Sequence, residues 1–261
     1  MLPYPDIDPV LIHLGPLQVR WYGLMYVLGF LAAYQLVQHQ IRKFKLPEME
    51  EHFDNLNFVL LLSLILGGRL GYVLFYNPAY YLHHPGEILA TWEGGMSFHG
   101  ALIGLLLGGL FYCRRHGLDF WRAADLYVVA GPVGLGLGRI GNFINGELYG
   151  RVTNVPWAMV FPGGGPLPRH PSQLYESLLE GVVLFAILWR AKERQGVTGS
   201  MLALFLLCYG VLRCFGELFR QPDPQLGFLF GPLTMGQLLS GVMIAAGLLI
   251  FALRRRRPAL P

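Results

Sequence analysis

The stretch from Gly138 to Gly150 combines hydrogen-bonding side chains with four glycines, and it follows a long apolar run. Its polar side chains are Arg139, Asn142, Asn145 and Glu147. A guanidinium is a forked donor suited to phosphate, and amides add further donors and acceptors. Glycine, here Gly150 in particular, lets backbone approach a ligand closely. The pattern therefore predicts a pocket for an anionic head group at the edge of a membrane core.

The elements that position this stretch are apolar segments. The chain has 261 residues, of which 54% are hydrophobic and only 14% charged, which is outside the range of ordinary soluble domains. We predict an all-α polytopic membrane protein that forms a single membrane domain over residues 1–261, because several apolar runs approach the length that crosses a bilayer. The seven predicted spans are residues 17–38, 56–76, 97–113, 123–137, 173–189, 199–218 and 233–253. Residues 139–172 then form an outer-side signature loop and small head.

The basic residues predict the orientation of the spans. Every lysine and most arginines fall within residues 42–45, 114–122, 190–194 and 254–257, which alternate along the predicted spans. By the positive-inside rule these stretches face the cytoplasm, so the amino terminus faces outward and the carboxyl terminus inward. Because the basic residues are spread over loops rather than gathered in one patch, no nucleic-acid partner is expected.

The other basic residues are all arginines, and the predicted topology places them within spans or on the outer side. They are Arg20, Arg69, Arg139, Arg151, Arg169, Arg213 and Arg220. An arginine in a membrane span costs at least about 2.5 kcal/mol and is by default a sign of function. The use of arginine alone favours recognition of phosphate or carboxylate, although some of the seven can serve structure by reaching the interface.

Further polar side chains recur at helical spacing. Tyr22 and Tyr26 share one face of the first span, as an aromatic belt or as part of the site. Arg69 and Tyr76 share a face of the second span. The sixth span carries four polar residues on one face: Tyr209, Arg213, Glu217 and Arg220. His99 lies among glycines at the outer end of the third span, where an imidazole can titrate near neutral pH, although a lone histidine is more often structural.

These motifs resemble those of the bacterial prolipoprotein diacylglyceryl transferases over nearly the whole chain. The resemblance rests on residues 21–26, 67–72, 94–100, 138–150, 169–173 and 219–223. It implies that the diacylglyceryl group of phosphatidylglycerol passes to the lipobox cysteine thiol of a prolipoprotein signal peptide, forming a thioether and releasing glycerol phosphate. It also implies a bacterial inner-membrane, multi-pass enzyme with its active site toward the outer side, and no metal or cofactor.

The same reaction suggests roles for the residues above. A cysteine thiol has a pKa near 8.5, so a base must raise the thiolate fraction. His99 is the first candidate for this base, and Glu147 remains an alternative that could instead orient Arg139. We expect Arg139 and Arg213 to hold the phosphate as it leaves. Asn142, Asn145 and Tyr22 would orient the glycerol head; the other expected substrate contacts are Tyr26, Arg69, Tyr76, Gly150, Tyr209, Glu217 and Arg220.

Two other classes fit parts of the pattern. An anionic-lipid carrier or flippase without covalent chemistry would use the same arginines, but the chain shows no detectable repeated halves of the kind many transporters have. An intramembrane hydrolase would need a nucleophile beside a base. Ser97 and His99 are the one candidate pair, and their two-residue spacing points them to different faces of a helix.

Overall fold

The computed structural model describes residues 2–5, 7–15, 17–91, 94–194, 196–222, 228–230 and 233–255. These residues are mostly helical. The longer helices are α1 (Trp21–Lys43), α2 (Pro47–Phe75), α4 (Phe98–Arg115), α5 (Phe120–Ile144), α8 (Ser200–Glu217) and α9 (Met235–Arg255). The shorter ones are α3 (Pro78–His83), α6 (Ser172–Glu176) and α7 (Leu184–Ala191), with 3₁₀ turns at Pro85–Glu87 and Lys192–Arg194 and a π-helical segment at Ser177–Val183.

Three of these helices are long and apolar enough to cross a membrane: Pro47–Phe75, Ser200–Glu217 and Met235–Arg254. In the last of these helices only 11% of an apolar 18-residue stretch is buried within the protein, so most of its apolar surface is available to lipid. The prediction of a helical membrane protein is therefore confirmed at this level. The number of seven spans and their orientation stay predictions.

The chain forms two compact units, and the prediction of one membrane domain is not tested by this division. The larger unit is Met1–Val37 with Ala124–Pro261, and the smaller unit is Gln38–Ala123. Within the smaller unit, α2 and α4 pack through facing glycines. A Cβ added at Gly67 would lie 2.5 Å from the Gly100 carbonyl oxygen, and one at Gly71 would lie 2.7 Å from Gly100 Cα. Small residues thus allow the two helices to approach closely, as the glycine spacing predicts.

The first helix begins later than the predicted span 17–38. Residues 17–20 are a strand, β2 (Leu17–Arg20), which pairs antiparallel with β1 (Val10–Leu14), and the helix begins at Trp21. The turn between the strands contains Gly15 at φ 61°, a conformation that glycine adopts without strain. A second short hairpin joins β3 (Phe228–Phe230) to β4 (Leu233–Thr234), immediately before α9.

Helix α5 is longer than the predicted span 123–137, and it contains the first part of the signature stretch. The helix ends at Ile144, so residues 139–144 are helical rather than part of a loop. At its end Gly146 takes φ 67°, its N–H bonds the Phe143 carbonyl, and the Glu147 N–H bonds the Asn142 carbonyl. This is a glycine-terminated Schellman motif. Gly138 and Gly141 are compatible with the helix, because a glycine in a membrane helix can serve packing as well as bending.

A continuous helical segment begins at Ser172, and its middle seven residues are wound more loosely. α6 passes into the π-helical segment Ser177–Val183 and then into α7. Gly136 of α5 packs against Gly181, since a Cβ at Gly181 would lie 2.8 Å from Gly136 Cα. The Ser177 hydroxyl donates to the Gly136 carbonyl at 3.0 Å. These contacts fix the π-helical segment against α5.

Helix α8 is held at its start by a carboxylate from α5. Asp125 accepts hydrogen bonds from the backbone N–H of Gly199 at 2.7 Å and of Leu202 at 2.8 Å. These are donors that a helix start otherwise leaves without partners. A core of Val129, Leu184, Leu188 and Met201 joins α5, α7 and α8. Three helices of the larger unit are thereby fixed relative to one another, and two of them, α5 and α8, supply residues to the polar site described next.

Candidate functional site

Two arginines from different helices meet two glutamates inside the larger unit. Arg139 of α5 places Nε 2.8 Å from Glu176 Oε2 and Nη2 3.5 Å from Glu180 Oε2. Arg213 of α8 places Nη1 2.8 Å from Glu176 Oε1 and 3.4 Å from Glu180 Oε1. Arg213 Nη2 also lies 2.7 Å from Glu217 Oε2, one helical turn along α8. The predicted Arg213–Glu217 neighbourhood is confirmed, and the arginines expected at the phosphate lie side by side.

Because these side chains are largely buried, each charge needs a partner of opposite sign close by. The side chains of Glu176 and Glu180 have no exposed surface, whereas Arg139 is 18% and Arg213 12% exposed. An ionised carboxylate without a partner in such a place would cost several kcal/mol. Glu176 Oε2 is near Arg139 but out of line with its N–H, so this contact is an ion pair without a hydrogen bond. The buried glutamates therefore hold the two arginines in place, and each arginine keeps a small exposed surface.

Arg220 extends this group of charges beyond the end of α8. Its Nη1 lies 3.6 Å from Glu176 Oε1, and its backbone forms an isolated antiparallel bridge with Gly150. A Cβ at Gly150 would lie 2.5 Å from the Phe219 carbonyl oxygen and 2.6 Å from His170 Cβ. The glycine is thus required by the close approach of the protein's own backbone. The expected contact between Gly150 and substrate is not tested by this packing and stays a prediction.

The amides of the signature stretch converge on one carboxylate oxygen. Asn142 Nδ2 donates to Glu147 Oε1 at 2.8 Å, and Asn145 Nδ2 donates to the same oxygen at 3.1 Å. Gln173, which is fully buried, donates to the Glu147 backbone carbonyl at 2.6 Å. Glu147 is exposed and held in one orientation. Among the described residues no ion pair joins it to Arg139, so the idea that Glu147 orients Arg139 finds no contact to support it.

The aromatic pair of the first span lies against the signature helix. The Tyr22 and Tyr26 hydroxyls are 3.0 Å apart, and their rings meet edge to face. A Cβ at Gly141 would lie 2.7 Å from the Tyr22 ring, so this glycine makes room for the tyrosine. Tyr26 interacts electrostatically with Arg139 and Glu147. On α8, Tyr209 interacts in the same way with Arg139 and Glu180. Both tyrosines thus belong to the surroundings of the arginines.

The remaining predicted site residues lie in the smaller unit. Arg69 is buried, and its guanidinium donates to four backbone carbonyls, those of Glu87, Ile88, Gly94 and Gly95, at 2.6–3.3 Å. It therefore holds the chain before α4, and its expected contact with substrate stays a prediction. Tyr76 is exposed and its ring stacks on Tyr72.

His99 is exposed in the first turn of α4. The Ser97 hydroxyl accepts a hydrogen bond from the Gly100 N–H at 3.2 Å and so caps that helix. Ser97 is also buried, and its cap bond gives it a structural function, which weakens the hydrolase alternative.

Glu176 and Glu180 lie within this site, and the sequence analysis does not identify them as site residues. They stand four residues apart inside the predicted span 173–189, and two carboxylates in a membrane helix are as unusual there as the arginines that were singled out. Their spacing puts both on one face. The spacing does not identify their partners, because Arg139 lies 37 residues from Glu176 and 41 from Glu180, and Arg213 lies 37 and 33 residues from them.

Just before α6, His170 packs among aromatic rings. Its Nδ1 lies 3.1 Å from the Tyr175 hydroxyl, and its ring meets Phe219 edge to face. Burial lowers the pKa of His170 below its ordinary value, since the neutral imidazole is favoured away from water. Residue Asp223 of the sixth motif lies outside the described residues.

The fold and the site define a helical membrane protein in which three arginines and three glutamates are joined by ion pairs. Comparison with known proteins gives the family: the model of the prolipoprotein diacylglyceryl transferases matches residues 9–253, and the chain belongs to this family.

Curated relatives agree over nearly the whole chain. The protein of Desulfotalea psychrophila is 62% identical over 253 residues, 95% of this chain and 93% of that protein. The proteins of Geobacter sulfurreducens and Pseudomonas aeruginosa strain PAO1 are 53% identical over 258 residues and 50% identical over 260 residues, covering 99% of this chain in each case and 99% and 98% of those proteins. All three are named phosphatidylglycerol–prolipoprotein diacylglyceryl transferase.

Proposed function

We propose that the protein transfers the diacylglyceryl group of phosphatidylglycerol to the cysteine thiol of a prolipoprotein lipobox. Membership of the transferase family supports the activity. The observation that carries the assignment of the site is the convergence of Arg139 and Arg213 on the buried Glu176. It supplies two ordered guanidiniums, which is what a phosphate leaving group requires.

In this reaction the cysteine sulfur attacks the carbon of the diacylglyceryl group that is bonded to a phosphate oxygen. A C–S bond forms as the C–O bond to phosphate breaks, and the electron pair of that bond goes to the phosphate oxygen. The thiol proton passes to a base, and the phosphate group gains one negative charge as the C–O bond breaks. Arg139 and Arg213 stabilise this added charge in the transition state. Arg220, beside Glu176, adds a third positive charge to the same group.

The amide groups are assigned an indirect role. Asn142 and Asn145 both donate to Glu147 Oε1, so they fix that carboxylate, and the carboxylate with Tyr22 then orients the glycerol head. A carboxylate accepts hydrogen bonds from hydroxyls, and the head of phosphatidylglycerol carries two of them. Tyr26 lies near Arg139 and Glu147, and Tyr209 lies near both arginines and the two buried glutamates.

His99 remains the first candidate for the base, with Glu147 the alternative. The assignment of His99 rests on its residue type, its exposure and the family resemblance, and no distance to the arginines supports it. Glu147 is exposed and oriented, and its Oε1 already accepts hydrogen bonds from two amides, so a thiol proton would have to reach its other oxygen.

The proposal places the enzyme in the bacterial inner membrane as a multi-pass protein with the arginine group toward the outer side. The apolar helices support a membrane location. The distribution of lysine and arginine supports seven spans with the amino terminus outside. The partners are phosphatidylglycerol, the bilayer and the signal peptide that contains the lipobox cysteine.

Mass spectrometry tests the reaction directly. The purified chain is incubated with phosphatidylglycerol and a lipobox peptide, and the expected result is a mass gain of one diacylglyceryl group. A peptide with serine in place of cysteine is the control and should stay unmodified. An unmodified cysteine peptide in a sample that binds the lipid tightly would favour the carrier alternative, which family membership otherwise disfavours.

A further inference from the structure

The charges around Arg139 and Arg213 balance before any lipid arrives. Three arginines and three glutamates of the described residues are joined by ion pairs: Arg139, Arg213, Arg220, Glu176, Glu180 and Glu217. With all three carboxylates ionised the net charge of this group is zero. A phosphodiester carries one negative charge, so its binding would leave one uncompensated negative charge in a largely buried place. Such a charge costs several kcal/mol in a protein interior.

The guanidinium donors are also already engaged. Arg213 Nη1 donates to Glu176 Oε1 and to Glu180 Oε1 at once, at 2.8 Å and 3.4 Å. Arg139 points Nε and Nη2 at the same two residues. A phosphate that is to be held by these donors must compete with carboxylates. Protonation of one carboxylate removes this competition, because a neutral carboxyl is a weak partner for a guanidinium. The added proton also brings the one positive charge that balances the phosphodiester.

We propose that binding of the phosphatidylglycerol phosphate is coupled to uptake of one proton by the Glu176–Glu180 pair, with Glu180 as the residue that carries it. This inference rests on the function proposed above. Both side chains are fully buried, but Glu176 makes two contacts of 2.8 Å with arginines whereas the contacts of Glu180 are 3.4 and 3.5 Å. The ionised form of Glu180 is therefore less stabilised, and it accepts the proton first. Glu180 faces Arg139 from α5, Arg213 and Tyr209 from α8, and Glu176 from the preceding turn.

The proton has a destination in the reaction. When the C–O bond breaks, the phosphate oxygen receives the electron pair and becomes a phosphate monoester, whose second pKa is near 6. The proton of Glu180 passes to this oxygen, so glycerol phosphate leaves as a monoanion and Glu180 returns to its ionised, paired state. The proton of the cysteine thiol goes separately to the base and then to water. One proton enters with the lipid and one leaves from the base, so charge and atoms balance.

Calorimetry in two buffers of different ionisation enthalpy counts the protons. Phosphatidylglycerol is titrated into the full chain near pH 7 in detergent. The native protein should take up about one proton per bound lipid, and its apparent dissociation constant should rise toward tenfold per pH unit above the pKa of Glu180. Glu180→Gln, which mimics the neutral carboxyl, should bind the lipid with no proton uptake and a flat pH dependence. Glu50→Gln alters an exposed glutamate paired with Arg42 and should match the native protein.

Two results would overturn the proposal: binding by the native protein without proton uptake, or uptake by Glu180→Gln equal to that of the native protein. The number of protons that the native protein takes up per bound lipid tests the proposal even if Glu180→Gln fails to fold. Diacylglyceryl transfer to a lipobox peptide is measured on the same preparation. Transfer without proton uptake removes only the proton coupling, whereas absence of transfer removes the function on which it rests.

Discussion

Glu176 Oε1 lies 2.8 Å from Arg213 Nη1, so a carboxylate with no exposed surface in one helix is neutralised by an arginine of another. The same carboxylate reaches Arg139 through its second oxygen. One glutamate thereby ties α5, α6 and α8 together at the point where the phosphate is proposed to bind. The rigidity of the two guanidiniums depends on a residue that need not touch the lipid.

Glu176→Gln should therefore destabilise the whole larger unit. It leaves two largely buried arginines short of a negative charge, and breaking a buried ion pair typically costs about 3–5 kcal/mol. Thermal unfolding in detergent should show a clearly lower midpoint. Glu50→Gln removes a carboxylate from an exposed pair, worth at most about 1 kcal/mol, and should leave the midpoint nearly unchanged. Equal midpoints for the two variants would show that the buried pairs do not hold the fold.

Arg139→Lys should lose activity while keeping the fold. A lysine keeps the charge but cannot reach two carboxylates with a planar fork, and loss of one oriented donor to a developing anion typically costs about 10²–10³ in turnover. The measurement is the initial rate of peptide modification. Arg42→Lys changes an exposed arginine paired with Glu50 and is the control. Near-native turnover of Arg139→Lys would remove Arg139 from the phosphate site.

Much of this arrangement follows from sequence. Spacing of four predicts the contacts between Tyr22 and Tyr26 and between Arg213 and Glu217, because helical geometry is local. The close packing at Gly67 likewise follows from a stripe of small residues.

The features that sequence did not predict are non-local or depend on tertiary packing. Periodicity places Glu176 and Glu180 on one face of a helix, but it does not show which neighbouring helix supplies their partners. The sequence analysis ends the span at residue 137, before the glycine-rich polar stretch, whereas α5 continues to Ile144 and Gly141 makes room for the Tyr22 ring. The strand Leu17–Arg20 was missed because its apolar residues merge with those of the following helix.

The identity of the base can be decided by pH profiles. If His99 takes the thiol proton, His99→Gln should slow transfer most below about pH 8, where thiolate is scarce, and less at higher pH. If Glu147 does so, Glu147→Gln should show that profile and His99→Gln a loss that is uniform with pH. The rates are measured between pH 6 and 9 at saturating lipid. A uniform loss in both variants would exclude both residues as the base.

Gly150→Ala should disrupt the junction between the segment that precedes α6 and the end of α8. The added methyl would lie 2.5 Å from the Phe219 carbonyl oxygen and 2.7 Å from the His170 carbonyl oxygen. Both oxygens accept backbone hydrogen bonds, from the Arg151 N–H and the Gly150 N–H respectively, which a shift of either backbone would disturb. Overpacking of this kind typically costs about 1–3 kcal/mol. Gly163→Ala is the matched control in the same segment, because its methyl would meet only a Tyr149 ring carbon at 3.9 Å. Thermal midpoints and transfer rates of both variants should separate them, and equal behaviour would contradict the packing argument.

His170 should make the protein less stable in mild acid. Its pKa in the fold is lowered by burial, whereas in the unfolded chain it is about 6.5. Above that pH the residue is neutral in both states and has no effect on stability. As the pH falls through 6.5, the unfolded chain takes up a proton that the folded protein resists, so the free energy of unfolding decreases. His170→Gln keeps a side chain able to bond the Tyr175 hydroxyl but cannot titrate, so its thermal midpoint should fall less steeply between pH 7 and 5 than that of the native protein. Parallel curves for the two proteins would show that His170 does not supply this pH dependence.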